Sequence, residues 1–84
     1  MTEHIDLFKQ DDKDINVLFG LKLRQIRINK HMSQEEFAFH VGLHRTYIGQ
    51  VERAEKNITL KNIGKIAEAL NIDLKELFNF DDIK

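Results

Sequence analysis

Ser33 to Glu52 reads SQEEFAFHVGLHRTYIGQVE, and this stretch decides the fold. It describes two short helices joined by a tight turn. Ser33 is a good N-cap and Glu36, three positions on, completes a capping box, so a helix is expected from Gln34. Phe37, Ala38 and Val41 share one face of that helix. Gly42 stops it, because glycine accepts the left-handed backbone a sharp turn needs. Leu43 re-enters the core, and Tyr47, Ile48 and Val51 give the second helix a matching apolar side. Its other side presents His44, Arg45, Thr46, Gly49 and Gln50. A short helix with polar and basic residues at its exposed N-terminal end has the form that a DNA major groove admits.

The flanks extend the same logic. Upstream, Asp14 is placed to cap a first helix from Ile15 to about Lys30, with Phe19, Leu23 and Ile26 on its core face. Leu21 and Ile28 fall off that face. Downstream, RAEKNI (53–58) connects to a fourth helix capped by Thr59 and running from Leu60 to about Leu70. Its expected buried line is Leu60, Ile63, Ala67 and Leu70, with Ile66 alongside. Asn71 is a plausible stop, and Asp73 with Glu76 forms a cap pair for a last short helix, Leu74 to Phe78. Leu74, Leu77 and Phe78 exceed what so short a helix needs for one core face, which points to contact between two copies of the chain. Phe80 and Ile83 extend that surface or trail from it.

The spacing therefore predicts an all-α domain of five helices over residues 15–80, with an N-terminal extension over 1–14 and a tail over 81–84. No strand pattern, repeat or low-complexity segment interrupts it. The extension carries an apolar cluster, Ile5, Leu7 and Phe8, ahead of DDKD. It is expected either to fray as a tail or to pack on the domain, at Leu21 and Ile28, or on a partner subunit.

With 84 residues there is room for one domain and one modest core. The chain has no Cys, so disulfides, thiolate chemistry and a cysteine-built zinc site are excluded. No apolar run approaches the ~18 residues that span a bilayer, and the acidic N-terminus does not resemble a signal peptide. A cytoplasmic protein is expected, associated with the nucleoid if it binds DNA. Net charge is −1, but residues 1–14 carry −3, residues 15–56 carry +3 and residues 57–84 carry −1. The positive charge sits with the helix pair, where phosphate contacts would form. The acidic total implies modest non-specific affinity and steep salt sensitivity.

Enzyme chemistry finds little support. The one serine, Ser33, is explained as a cap. His40 and His44 have the i, i+4 spacing of metal ligands on a helix, but Gly42 breaks the helix between them. No cofactor, metal or small-molecule ligand is expected, and no membrane contact.

The stretch, together with LRQIR (23–27) upstream and TLKNIGKIAEALNIDLKELF (59–78) downstream, resembles the helix-turn-helix of the phage Cro/repressor family, from about Phe19 to Phe78. Within that superfamily, LHRTYIGQVER (43–53) is most similar to the controller proteins of restriction–modification systems. The resemblance implies double-stranded DNA as the partner. Base reading would fall to Arg45 on guanine and Thr46 beside it, with Gln50 suited to adenine, Gly49 leaving room for a base, and His44 near a base or phosphate. Phosphate contacts would come from Gln34 at a helix N-terminus, Tyr47, Asn57, Thr59 and Lys61. In relatives the glutamine matching Gln34 hydrogen-bonds backbone at that point. Lys22, Arg24 and Lys56 are further candidate cations. Arg27 and Glu52 would form a structural ion pair that fixes the reading helix. The pattern departs from the family at His31 and Ala54, where glycine is usual, and at Ile58, where proline is common.

One reading helix covers too few base pairs to select a genomic site. A homodimer on a near-palindromic operator is therefore expected, with Leu74, Leu77 and Phe78 at the interface. The controller resemblance adds autoregulation and a restriction–modification operon as the target. A phage-type repressor and a DNA-binding antitoxin are the alternatives.

Overall fold

A computed structural model of the chain describes residues 14–83. Five helices follow one another: α1 (Ile15–Asn29), α2 (Gln34–Val41), α3 (Arg45–Glu52), α4 (Leu60–Leu70) and α5 (Leu74–Leu77). Among the described residues there is no strand, and no helix is long and apolar enough to cross a membrane. Residues 1–13, with the Ile5, Leu7 and Phe8 cluster, lie outside the described part.

The helix boundaries are set by local chemistry. The Asp14 carboxylate accepts from the Val17 N–H at 3.0 Å and starts α1. At α2 both halves of the capping box form, with Ser33 Oγ accepting from Glu36 N–H at 3.0 Å and Glu36 Oε1 accepting from Ser33 N–H at 2.8 Å. Gly42 is left-handed at φ 80° and lets Leu43 N–H return to the Ala38 carbonyl at 2.9 Å, which closes the turn. The Lys65 ammonium reaches from α4 to donate to the Gly42 carbonyl at 3.1 Å. Thr59 Oγ1 caps α4 through Asn62 N–H, and Asn71, left-handed at φ 56°, ends it.

The five largest fully buried side chains are Leu23, Phe37, Ile48, Ile66 and Leu77, one from each helix. Each contributes about 1.5–3 kcal/mol by leaving water, so the core belongs to no single pair of helices. Phe19, Ala38, Val41, Val51, Ile63, Ala67 and Leu70 complete it, and Ile26 and Tyr47 pack at its edge. Gly20 sets how closely α1 can approach the end of α3: a Cβ there would lie 2.5 Å from the Val51 carbonyl oxygen and 2.7 Å from that of Glu52.

Several expectations need correction. Leu60 is not buried but 86% exposed. It shares the helical-wheel angle of Ala67, yet as the first residue of α4 it stands beyond the helices that cover the line. Leu77 is fully buried in the chain's own core and so is unavailable to a second copy, while Leu74 and Phe78 remain 54% and 40% exposed. Asp73 occupies the N-cap of α5 without a side-chain cap bond. Its expected partner Glu76 turns instead to Lys22, whose ammonium is 3.4 Å from Glu76 and 3.7 Å from Asp82. That also removes Lys22, 3% exposed, from the cations open to DNA. Asp82 and Ile83, read from sequence as tail, line a shallow groove on α1 with Leu21, Arg24, Gln25 and Ile28.

Candidate nucleic-acid interface

α3 and its C-cap residue form one wall of an open groove through Arg45, Thr46, Gly49 and Arg53, and Gln34 and Glu35 of α2 form the other. Arg45 and Thr46 are exposed, and Gln50 is half-buried outside the groove lining. The helix is started by His44, whose Nδ1 accepts from the Thr46 N–H at 3.0 Å. This ring nitrogen is therefore engaged in capping, and a contact to DNA is left to the other one. The Arg45 guanidinium extends back across the groove and meets Glu35 Oε1 at 3.2 Å, both side chains being well exposed.

Gly49 is buried rather than open. A Cβ on it would meet an Arg53 guanidinium nitrogen at 3.1 Å and Gln34 Oε1 at 3.3 Å. Its missing side chain makes room for those two residues. The Gln34 amide donates at 3.0 Å to Glu52 Oε1. The first turn of α2 also carries Glu35 and Glu36, so a phosphate drawn by the helix dipole meets the Glu35 carboxylate there.

Behind the groove, Glu52 is a buried charge fully supplied with partners. Arg27 donates to it twice, from Nε at 2.7 Å and Nη2 at 3.0 Å, and Gln34 donates a third bond. Arg27 Nη1 goes to the Met32 carbonyl at 2.9 Å. The side chains are 13% and 2% exposed, so the pair ties α1, the start of α2 and the end of α3 together out of water.

The remaining candidates flank this assembly. Tyr47 is half-buried, its hydroxyl accepting from the Asn62 amide at 3.1 Å. Asn57, Thr59 and Lys61 are exposed, with Asn57 Oδ1 held by the Asn16 amide at 2.6 Å and the Thr59 hydroxyl engaged as a cap. Arg24 and Lys56 are exposed.

Sequence reasoning missed Glu35, Arg53 and Phe39. Arg53 lines the groove but is tied at its Nε and Nη2 to Glu55. The hydrogen bond that Arg53 donates to Glu55, then the charge of that carboxylate, raises the Arg53 pKa above arginine's ordinary value, and the same bond lowers the Glu55 carboxyl. Phe39 is 89% exposed beside a second cleft formed with Glu35, Ala38, Leu43, His44 and Arg45. Arginine and glutamate two and ten positions apart offered a signal for these pairs; Phe39 offered one as the apolar residue left over after Phe37, Ala38 and Val41 took the buried face.

Comparison with known proteins agrees with this geometry. A family model described as helix-turn-helix matches residues 23–77. Control protein C.BamHI of Bacillus amyloliquefaciens is 51% identical over 71 residues, covering 83% of this chain and 88% of the relative. Control protein C.SmaI of Serratia marcescens is 41% identical over 71 residues, covering 84% of each. The crystal structure of the restriction-modification controller protein C.AhdI from Aeromonas hydrophila superposes with a TM-score of 0.71 at 51% identity, over 75% of this chain and 96% of that one. The chain is a DNA-binding transcription regulator and not an enzyme, and it belongs to the helix-turn-helix family, among the restriction–modification control proteins.

Proposed function

We propose that two copies of the chain bind a near-palindromic operator upstream of their own gene, in the cytoplasm, and so set the expression of a restriction–modification operon. The observation that carries this reading is the exposed Arg45–Thr46 pair at the N-terminus of α3, on a scaffold 51% identical to a control protein over most of both chains. Arg45 reads guanine through O6 and N7, Thr46 bonds a neighbouring base edge or touches a thymine methyl, and Gln50 takes adenine. Asn57, Thr59, Lys61 and the Tyr47 hydroxyl serve the phosphates on the flank, where positive and neutral donors fix register without reading sequence. Leu74 and Phe78, exposed and apolar on and just after α5, form the contact between copies. Half-sites then fall about one helical turn apart, roughly 34 Å.

Footprinting the DNA upstream of the gene across a protein titration tests the proposal. A protected near-palindrome is expected, and its absence would sink the autoregulatory reading. On that site Arg45→Ala should lose about 1–3 kcal/mol of affinity and relax the preference at one position of each half-site. Lys61→Ala should instead weaken all sequences alike and flatten the salt dependence by about one unit of slope.

A further inference from the structure

Three arginine–carboxylate pairs occur among the described residues, and they differ in which edge of the guanidinium they use. Arg27 meets Glu52, and Arg53 meets Glu55, through Nε and Nη2 together. Arg45 meets Glu35 through Nη1 alone, at 3.2 Å. The Nε–Nη2 edge is the side-on fork of an arginine, able to make two parallel bonds to guanine O6 and N7. Among the described residues it is occupied in the first two pairs and has no partner in the third. Glu35 also lines the same groove wall as Gln34, facing Arg45 and Thr46.

We infer that Glu35 is a positioning residue for base recognition: it holds Arg45 by Nη1, fixing the plane of the fork while leaving the Nε–Nη2 edge for guanine. The inference deepens the reading of Arg45 proposed above and rests on it. A free arginine gives up rotamer freedom when it grips a base, and a partner already holding it removes part of that loss. At the same time a carboxylate in the groove repels phosphates whatever the sequence. Glu35 thus raises affinity where guanine is present and lowers it elsewhere, which is discrimination by attraction and repulsion together. A carboxylate that merely competed with DNA for Arg45 would act with the opposite sign on the cognate site, because its pair would have to break on binding.

The test uses anisotropy titrations of the full chain on a duplex that it selects from a random pool, on the same duplex with each guanine replaced in turn, and on a scrambled duplex. Glu35→Ala should bind the scrambled duplex about threefold more tightly and the selected duplex about threefold more weakly. The preference for one guanine should fall about tenfold, with a melting temperature lowered by no more than a few degrees. Glu35→Gln keeps an acceptor for Nη1, and should recover most of the guanine preference while keeping the gain on scrambled DNA. Equal tightening on both duplexes by Glu35→Ala would overturn the inference and leave Glu35 as a simple competitor. So would a Glu35→Ala effect on guanine preference that persists in an Arg45→Ala background. An Arg45→Ala chain that retains the guanine preference would overturn the reading of Arg45 itself, and this inference with it.

Discussion

At its C-terminal end α3 is fastened by groups that water barely reaches, whereas at its N-terminal end it is fastened by groups that stand in water. Glu52 takes three hydrogen bonds from Arg27 and Gln34, and the carbonyls of Val51 and Glu52 press against Gly20. Seven residues before Glu52, Arg45 makes one bond to Glu35 across an open groove, with side chains 63% and 73% exposed. A buried charge cannot exchange its partners without a large penalty, while an exposed pair is worth a fraction of a kcal/mol to about 1 kcal/mol and can rearrange. The contrast separates the two ends of one short helix: the anchored end sets where the helix lies, and the exposed end is the one proposed to meet the nucleic acid.

Substitutions that respect this division sharpen it, and ones that cross it would break it. The largest effect is expected from Glu52→Ala, which strands the Arg27 guanidinium and should cost about 3–5 kcal/mol in urea unfolding. A loss under 1 kcal/mol would mean that the hub is solvated after all. Next comes Gly20→Ala, whose methyl must displace two carbonyl oxygens; about 1–3 kcal/mol is expected, accompanied by weaker DNA binding because α3 moves with its carbonyls. At the other end His44→Ala removes the Nδ1 cap and should cost about 1 kcal/mol, while His44→Asp, which supplies another acceptor, should not. The smallest effect has the opposite sign. Ala54 sits just beyond α3 at φ 61°, a conformation that strains a residue with a Cβ. Ala54→Gly should raise stability by about 0.5 kcal/mol after glycine's own entropy is deducted, read as a shift in the urea midpoint without change in slope.

Those features differed in how far sequence disclosed them. The capping box at Ser33 and Glu36, the turn at Gly42, the left-handed stop at Asn71 and the apolar faces of α1 to α4 are local, within reach of neighbours three or four positions away, and each has a residue type that the local geometry demands. Leu60 and Leu77 misled because a helical wheel gives the angle of a side chain but not which neighbouring helix extends far enough to cover it. The partners of Gln34, Glu76 and Lys22 were hidden for another reason: a polar side chain has several chemically adequate partners, and tertiary distance chooses among them. Arg27 with Glu52 was legible only through the family resemblance, since 25 positions separate the two residues. Gly20 gave no sign inside a helical pattern, its significance lying in backbone atoms of α3.

The bond from Lys65 to the Gly42 carbonyl bears on the thermodynamics of recognition. It ties α4 to the turn between α2 and α3, so that three helices share one junction and the turn does not have to be ordered when DNA arrives. The disorder lost on association then falls on side chains, chiefly the arginines and glutamates around the groove, rather than on the backbone. Calorimetry of such an encounter is expected to give a heat-capacity change in proportion to the interface itself, without the added contribution of a segment that folds as it binds.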